Sequence, residues 1–339
     1  MTRLEKDISL KNLNTFHIDV LAKYFAETAS QEELLEILTD KKLTEEKKLV
    51  LGGGSNILFT KNFDGLVIRN ALRGMQVLKE DAHHVWIKVA AGEVWHEFVM
   101  YCVGKNLAGI ENLSLIPGLV GAAPMQNIGA YGVEVKETCE EVEAIHMISG
   151  ETLLFGNAEC KFGYRESIFK HEWKNNLVIT AVTFRLNKIF KPKIAYGDIR
   201  KTLEEMRADE ITIKTVSDAV IKIRSSKLPD PKDIPNAGSF FKNPLVPKKK
   251  FDELVANYPL MPNYPDKNNQ VKIPAGWLIE QCGWKGKRIG NTGTHARQAL
   301  VLVNYGNATG DEILSLAHEI KKSVSEKFGI DLIPEVNII

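Results

Sequence analysis

Three consecutive glycines, Gly52, Gly53 and Gly54, followed by Ser55 and Asn56, stand between short apolar runs in LVLGGGSNILF. Residues without a Cβ let the backbone turn tightly and let a ligand approach peptide N–H groups closely. That is chemistry for holding an anion, and phosphate above all. A P-loop needs Gly-x-x-x-x-Gly-Lys-Ser/Thr ahead of a helix, and no lysine follows these glycines. A dinucleotide fingerprint needs spaced glycines that open a helix within a βαβ unit. Here they are adjacent and lead into the strand-like ILF and the turn-like TKNFDG. Taken alone, the run is explained as well by a tight strand–strand turn that binds nothing.

A second stretch changes that balance. IPGLVGAAPMQNIGAYG carries Gly118, Gly121, Gly129 and Gly132, with the small Ala122 and Ala123 and the polar pair Gln126 and Asn127. Two backbone-rich loops suit a pyrophosphate bound by peptide N–H groups where a side chain would collide. A pyrophosphate held without a P-loop lysine points to FAD.

The elements that must position these loops are mixed. EELLEIL has helical spacing, and Val94, Trp95, Phe98, Val99, Cys102 and Val103 make Glu93–Gly104 an amphipathic helix. GLVIRN, HVWIKVAAG, EVEAIHMI and NLVITAVTFRL read as strands, the last two paired. A helix begins after Thr215 with Val216, Val220 and Ile223 on one face, and RQALVLVN reads as a buried strand. TGDE at Thr309–Glu312 is a capping-box pattern that announces a final helix with Ile313, Leu316, Ile320, Val324 and Phe328 on its core face. This is an α+β mixture.

At 339 residues and 44% hydrophobic, the chain has material for two or three domains. Its 44 Lys+Arg against 43 Asp+Glu mark it neither as a nucleic-acid binder nor as a ligand of anionic membranes. The four cysteines lack metal-ligand spacing and read as reduced, mostly buried thiols, with no zinc site or other metal. The opening MTRLEKDISL has no apolar core segment, and no run approaches ~18 apolar residues. The expectation is a cytoplasmic protein with no membrane segment.

In order along the chain, LGGGSNILF, IPGLVGAAPMQNIGAYGVEV, CKFGYRES, SSKLPDP, NAGSFFKNP, PAGWLIEQCGWKG and IPEVNII resemble the signatures of the UDP-N-acetylenolpyruvoylglucosamine reductases of peptidoglycan synthesis. The resemblance runs from about Asn14 to the last residues. It implies a FAD-binding domain of the vanillyl-alcohol-oxidase (PCMH) type followed by a C-terminal α+β substrate-binding domain. The expected division is residues 1–188 for FAD, in two subdomains of about 1–60 and 61–188, and 189–213 as a connecting segment. Residues 214–330 then bind substrate, and 331–339 return as a strand to the active site. PKIAYGDIR resembles the substrate-covering loop of the longer, first type of the family, with Tyr196 as its tyrosine.

The activity so implied is reduction of an enolpyruvyl ether on UDP-N-acetylglucosamine to a lactyl ether, with FAD as cofactor and NADPH as hydride donor. Hydride reaches the terminal carbon, negative charge grows on the neighbouring carbon and its carboxylate, and a proton completes the product. By the resemblance Arg165 of FGYRES meets the carboxylate, Ser239 of NAGSFFKNP donates the proton, and Glu335 is a carboxylic acid or polar partner beside the forming enolate. Guanidinium suits a carboxylate because it is always charged and two-pronged. Glu335 stands out without the resemblance too, as a carboxylate in an apolar terminal segment that burial would have to hold protonated.

The flavin contacts implied are Gly52 to Asn56, then Pro117, Gly118, Gly121 and Ala122, and further Gln126, Asn127 and Gly129, with Arg224 serving flavin or substrate. Ala122 and Ala123 stand where some members carry a hydroxyl residue, so backbone contacts are what is implied there. Lys227 is expected at the UDP pyrophosphate, Asn243 at phosphate, Tyr196 as cover, Gln298 toward the carboxylate, and Tyr131 and Tyr164 along the pocket. NADPH and the sugar nucleotide are expected in one pocket in turn, and the protein is expected to be a monomer. Two other readings compete: a flavoprotein oxidase of alcohols or hydroxy acids, and a non-catalytic nucleotide-binding or regulatory protein. NAGSFFKNP, Lys227 and PEVNII argue against the first, and Arg165, Ser239 and Glu335 against the second.

Overall fold

The computed structural model describes residues 3–266 and 269–339. Residues 1, 2, 267 and 268, which fall in the expected FAD and substrate segments, lie outside the described residues. The chain divides into two compact units, residues 1–8, 21–54 and 63–226 in the first and 9–20, 55–62 and 227–339 in the second.

The first unit has two sheets. One orders Leu4–Ser9, Leu21–Thr28, Phe63–Asn70 and Lys48–Leu51, and the last three strands run parallel. Helix α1, Gln31–Thr39, connects Leu21–Thr28 toward Lys48–Leu51, and it starts where the hydroxyl of Ser30 accepts the Glu33 N–H at 3.2 Å. Its Leu34, Ile37 and Leu38 face a core with Ala26, Leu66 and Ile68. The second sheet is antiparallel in the order Thr152–Gly156, Cys139–His146, Leu177–Asn187, His84–Ala90, Met75–Glu80. His84–Ala90 alternates between buried and half-buried positions, as a strand with one face on a core should. The first of these cores also takes in Ile145, Met147 and Val178.

Helix α2 spans Trp95–Gly104 and starts two residues later than the periodicity predicts. The reason is local: Val94 is extended and bridges Leu119, so it belongs to a strand contact before it can enter the helix. Trp95 and Phe98 pack with Phe184, centroids 5.8 and 4.9 Å away. Helix α3, Ile199–Glu205, and helix α4, Ile213–Lys227, share a small core of Ile199, Leu203, Val216, Val220 and Ile223. Nearly all of α4 groups with the first unit, so the unit ends after Ser226 and not near residue 188. Burial of the α4 face against first-unit residues, Tyr131 among them, is what moves that boundary.

In the second unit a sheet orders Asn236–Ser239, Val301–Asn304, Thr292–Thr294 and Arg288–Ile289, and a smaller one orders Leu245–Pro247, Gln270–Lys272 and Tyr264–Asp266. Helices α5, Lys248–Asn257, and α6, Ala275–Gln281, precede α7, Gly310–Phe328. The capping box is present: Thr309 Oγ1 accepts the Glu312 N–H at 3.2 Å, and the Glu312 carboxylate accepts the Thr309 N–H at 2.7 Å. Ile313, Leu316, Ile320, Val324 and Phe328 are all buried. Gly310 is fixed by proximity, since a Cβ there would lie 1.8 Å from the Phe59 carbonyl oxygen. The terminal segment forms only a short strand, Asn337–Ile338, parallel to Ile57–Leu58.

Candidate active site

In the first unit the two glycine stretches meet backbone to backbone, and a Cβ on Gly53 would lie 3.1 Å from Gly118 Cα. The second stretch hangs on the residues ahead of α2. Trp95 donates its N–H to the Gly118 carbonyl at 3.0 Å, Val120 to Glu93 at 2.9 Å and Gly121 to Ala91 at 2.9 Å. Gly118 has φ +111, which a side chain rarely adopts. Gly121 is required by packing, because a Cβ would come within 2.5 Å of Ala91 Cβ. Its N–H, and that of Ala122 to the Leu119 carbonyl at 3.0 Å, are spent on the backbone. These two residues therefore shape the loop without offering N–H donors. Asn127 is likewise consumed: its Nδ2 donates to the Gly163 carbonyl at 2.9 Å and its Oδ1 accepts the Lys136 N–H at 3.0 Å. On the same stretch Pro117 is exposed and Gln126 half-buried.

Arg165 is half-buried with φ +56. Its Nη2 donates to the Gly129 carbonyl at 2.7 Å, and a Cβ on Gly129 would sit 3.1 Å from Nη1, so the glycine makes room for the guanidinium. The Tyr164 ring centroid lies 5.6 Å from the guanidinium carbon. Arg224, on α4, is held below the ordinary arginine range first by burial, with Tyr131 opposing and the charge of Arg165 adding to the depression. Two guanidinium groups that repel one another suit an anionic ligand. Arg224 Nε donates to the Leu115 carbonyl at 3.3 Å, and Leu115 gives its N–H to His96 Nδ1 at 3.0 Å. His96 thus accepts through a neutral ring nitrogen, and burial followed by the charge of Arg224 pushes its pKa down. Tyr196 is 40% exposed. Gly132 and Gly197 let its segment interlock with Tyr131: a Cβ on Gly132 would lie 3.2 Å from Tyr196 Cβ, and one on Gly197 3.5 Å from Tyr131 Cδ1.

In the second unit, segments far apart in sequence lie side by side. Phe240 donates its N–H to the Leu300 carbonyl at 2.9 Å, and Glu335 donates to the Phe240 carbonyl at 2.8 Å. Asn56 Nδ2 reaches the Glu335 carbonyl at 3.3 Å, and the Asn337 N–H reaches the Asn56 carbonyl at 3.1 Å. This rank brings Gln298, Ser239, Glu335 and Asn56 onto neighbouring pieces of backbone. Ser239 is exposed because the strand bulges: Asn236 Oδ1 accepts the Gly238 N–H at 2.8 Å, Gly238 takes φ +70, and the register against Val301–Asn304 slips. Glu335 is half-buried rather than enclosed. An exposed hydroxyl and a half-buried carboxylate on adjacent segments make a set fit for proton transfer. Asn243 Oδ1 accepts the Ala275 N–H at 2.9 Å and so caps α6, which leaves its amide donors to face elsewhere. Gln298 Oε1 accepts the Leu300 N–H at 3.4 Å. Lys227 is exposed at the end of α4.

Sequence reading passes over Asn112 and His96, and it assigns Asn56 to cofactor without its hold on the Glu335 backbone. Asn112, polar in the apolar GIENLSLIPG, carries the same signal that marked Glu335.

Among known proteins, a model described as FAD binding domain matches residues 22–155. One described as UDP-N-acetylenolpyruvoylglucosamine reductase, C-terminal domain, matches residues 230–339. A UDP-N-acetylenolpyruvoylglucosamine reductase of Flavobacterium johnsoniae is 52% identical over 99% of both chains. That of Amoebophilus asiaticus is 49% identical, again over 99% of both. The solved UDP-N-acetylenolpyruvylglucosamine reductase of Thermus caldophilus superposes with a TM-score of 0.70 at 26% identity, covering 100% of this chain and 99% of its own. The side-chain-free meeting of Gly53 with Gly118 fits the pyrophosphate of FAD. This chain belongs to the UDP-N-acetylenolpyruvoylglucosamine reductase family.

Proposed function

We propose that this protein reduces the enolpyruvyl ether of UDP-N-acetyl-3-O-(1-carboxyvinyl)glucosamine to UDP-N-acetylmuramate with NADPH, in peptidoglycan precursor synthesis. The observation that carries the reading is identity of 52% to a reductase of that name over 99% of both chains. When bound, FAD supplies the two-electron relay between the nicotinamide donor and the enolpyruvyl acceptor. Gly52, Gly53, Gly54 and Gly118, which carry no side chain, bring backbone to its pyrophosphate, and Ser55, Asn56, Pro117, Gln126 and Gly129 complete the cofactor set.

Arg165, steadied by the Gly129 carbonyl, neutralises the substrate carboxylate on which charge grows. Arg224 adds a second positive charge in the same unit. Ser239 gives its hydroxyl proton to the carbon next to the carboxylate. A serine is a weak acid, so Glu335, on the adjoining segment, assists as acid or polar partner. Asn243 and Lys227 take the phosphates, Gln298 the carboxylate side, and Tyr131, Tyr164 and Tyr196 line and cover the sugar nucleotide, as in the longer, first type of the family. NADPH and the sugar nucleotide use the pocket in turn. The unbridged cysteines support a reducing, cytoplasmic location. Among the described residues no helix is long and apolar enough to cross a membrane. The working form is a monomer.

The deciding experiment is anaerobic absorption spectroscopy of the purified protein. Absorption at ~450 nm that bleaches with NADPH and returns with the enolpyruvyl sugar nucleotide supports the reading. Bleaching without return removes the substrate assignment, and rapid turnover of hydroxy acids without NADPH would replace it with an oxidase.

A further inference from the structure

We infer that Asn112 is a positioning residue for the substrate cover, setting Tyr131 and Tyr196 from beneath. This rests on the reading of Tyr196 as cover. Asn112 lies in a short turn, Glu111–Leu113, that is buried along its whole length, and Asn112 itself is 0% exposed. The turn is nailed down on its far side. Ser114 Oγ donates to the Glu111 carbonyl at 2.7 Å and meets Ser217 Oγ of α4 at 2.8 Å.

From this fixed base one amide group reaches two segments remote in sequence. Asn112 Nδ2 donates to the Tyr131 carbonyl at 3.0 Å and to the Lys193 carbonyl at 2.8 Å. Both partners are carbonyls, so chemistry alone requires the NH2 end there. Tyr131 is itself one of the two aromatic residues concerned, and Lys193 lies three residues before the other. Beyond these bonds the segments interlock, Gly132 beneath Tyr196 and Gly197 against Tyr131. Tyr131 is held at φ +49, which an untethered chain would leave.

The other end of the amide argues the same way. Among the described residues Asn112 Oδ1 has no hydrogen-bond partner. A buried acceptor left unmet is unfavourable, and a leucine of similar size would avoid the loss. An asparagine at this point is therefore worth its place for its two donors. The second tie on the segment, the Lys193–Glu137 ion pair, joins side chains 51% and 33% exposed and contributes little by comparison.

The test uses the FAD-loaded enzyme carrying Asn112→Ala. Loss of two buried hydrogen bonds is expected to raise KM for the enolpyruvyl sugar nucleotide about tenfold. Flavin bleaching by NADPH is expected to keep its rate, and hydrogen exchange to quicken in residues 129–133 and 189–198 and not elsewhere. Glu137→Gln is expected to leave KM unchanged. An unchanged KM for Asn112→Ala, or equal loss in both half-reactions, overturns the inference. Should the alanine variant fail to hold flavin, Asn112→Ser, with one short donor, is held to the same outcomes. Tyr196→Ala separates the two levels. If it leaves KM unchanged, the cover reading falls. If it raises KM while Asn112→Ala does not, only the role of Asn112 falls.

Discussion

Arg165 sits with φ +56 and takes its direction from the Gly129 carbonyl, so the guanidinium is aimed before any ligand arrives. Replacing it with alanine is expected to lower kcat by about 100-fold or more while flavin content is kept, measured by steady-state kinetics. Lysine should recover only part, because it keeps the charge and loses the planar fork. Ser239→Ala should leave bleaching by NADPH intact and slow recovery by the sugar nucleotide by about 100-fold or more, read by stopped flow. His96 gives a pH dependence with a definite sign. Its folded pKa lies below the ordinary value, so stability is full above ~6.5 and declines as pH falls below it, where the native state must accept an unfavourable proton. His96→Gln keeps an acceptor for the Leu115 N–H and should flatten the fall in Tm on acidification. At this scale the sequence showed Glu335 as a carboxylate out of place and Ser239 beside turn residues. The partners of Asn127, Gln298 and His96 were not legible, because each is made by chain distant or irregular enough to leave no period.

Among the elements, α7 was the most legible, since its capping box and core face are both local patterns over many turns. Its seat was not. Gly310 meets the Phe59 carbonyl oxygen, a residue from the other end of the sequence, and no motif announces that approach. Gly310→Ala should cost about 3 kcal/mol, as expected when a carbon is forced against fixed backbone, with chemical denaturation as the measure. The start of α2 was misplaced by two residues for a related reason, as the strand contact of Val94 with Leu119 overrides the helical period. Asn337–Ile338 and Ile57–Leu58 are each too short to identify a partner from pattern alone.

For the whole molecule, the α+β class and the two kinds of unit were readable, but the boundary was not. Composition is continuous through residues 188–227, and only packing assigns α3 and most of α4 to the first unit. FAD binding gives a measurement at this scale. Excess flavin at about 100 times its Kd should stabilise the protein by ~2.7 kcal/mol, seen as a rise in Tm, if it binds only the folded chain. Gly53→Val should abolish that rise, because its side chain would fill the meeting of the two glycine stretches.

The second unit borrows residues 9–20 and 55–62 from the early part of the chain and completes itself with residues 227–339. In a cell those early pieces leave the ribosome long before their partners exist. Leu10, Phe16, Leu58 and Phe59, buried in the finished protein, must wait in the open for the remainder to be translated. At ~5–20 residues per second that wait lasts roughly ten seconds or more, ample time for chaperone capture.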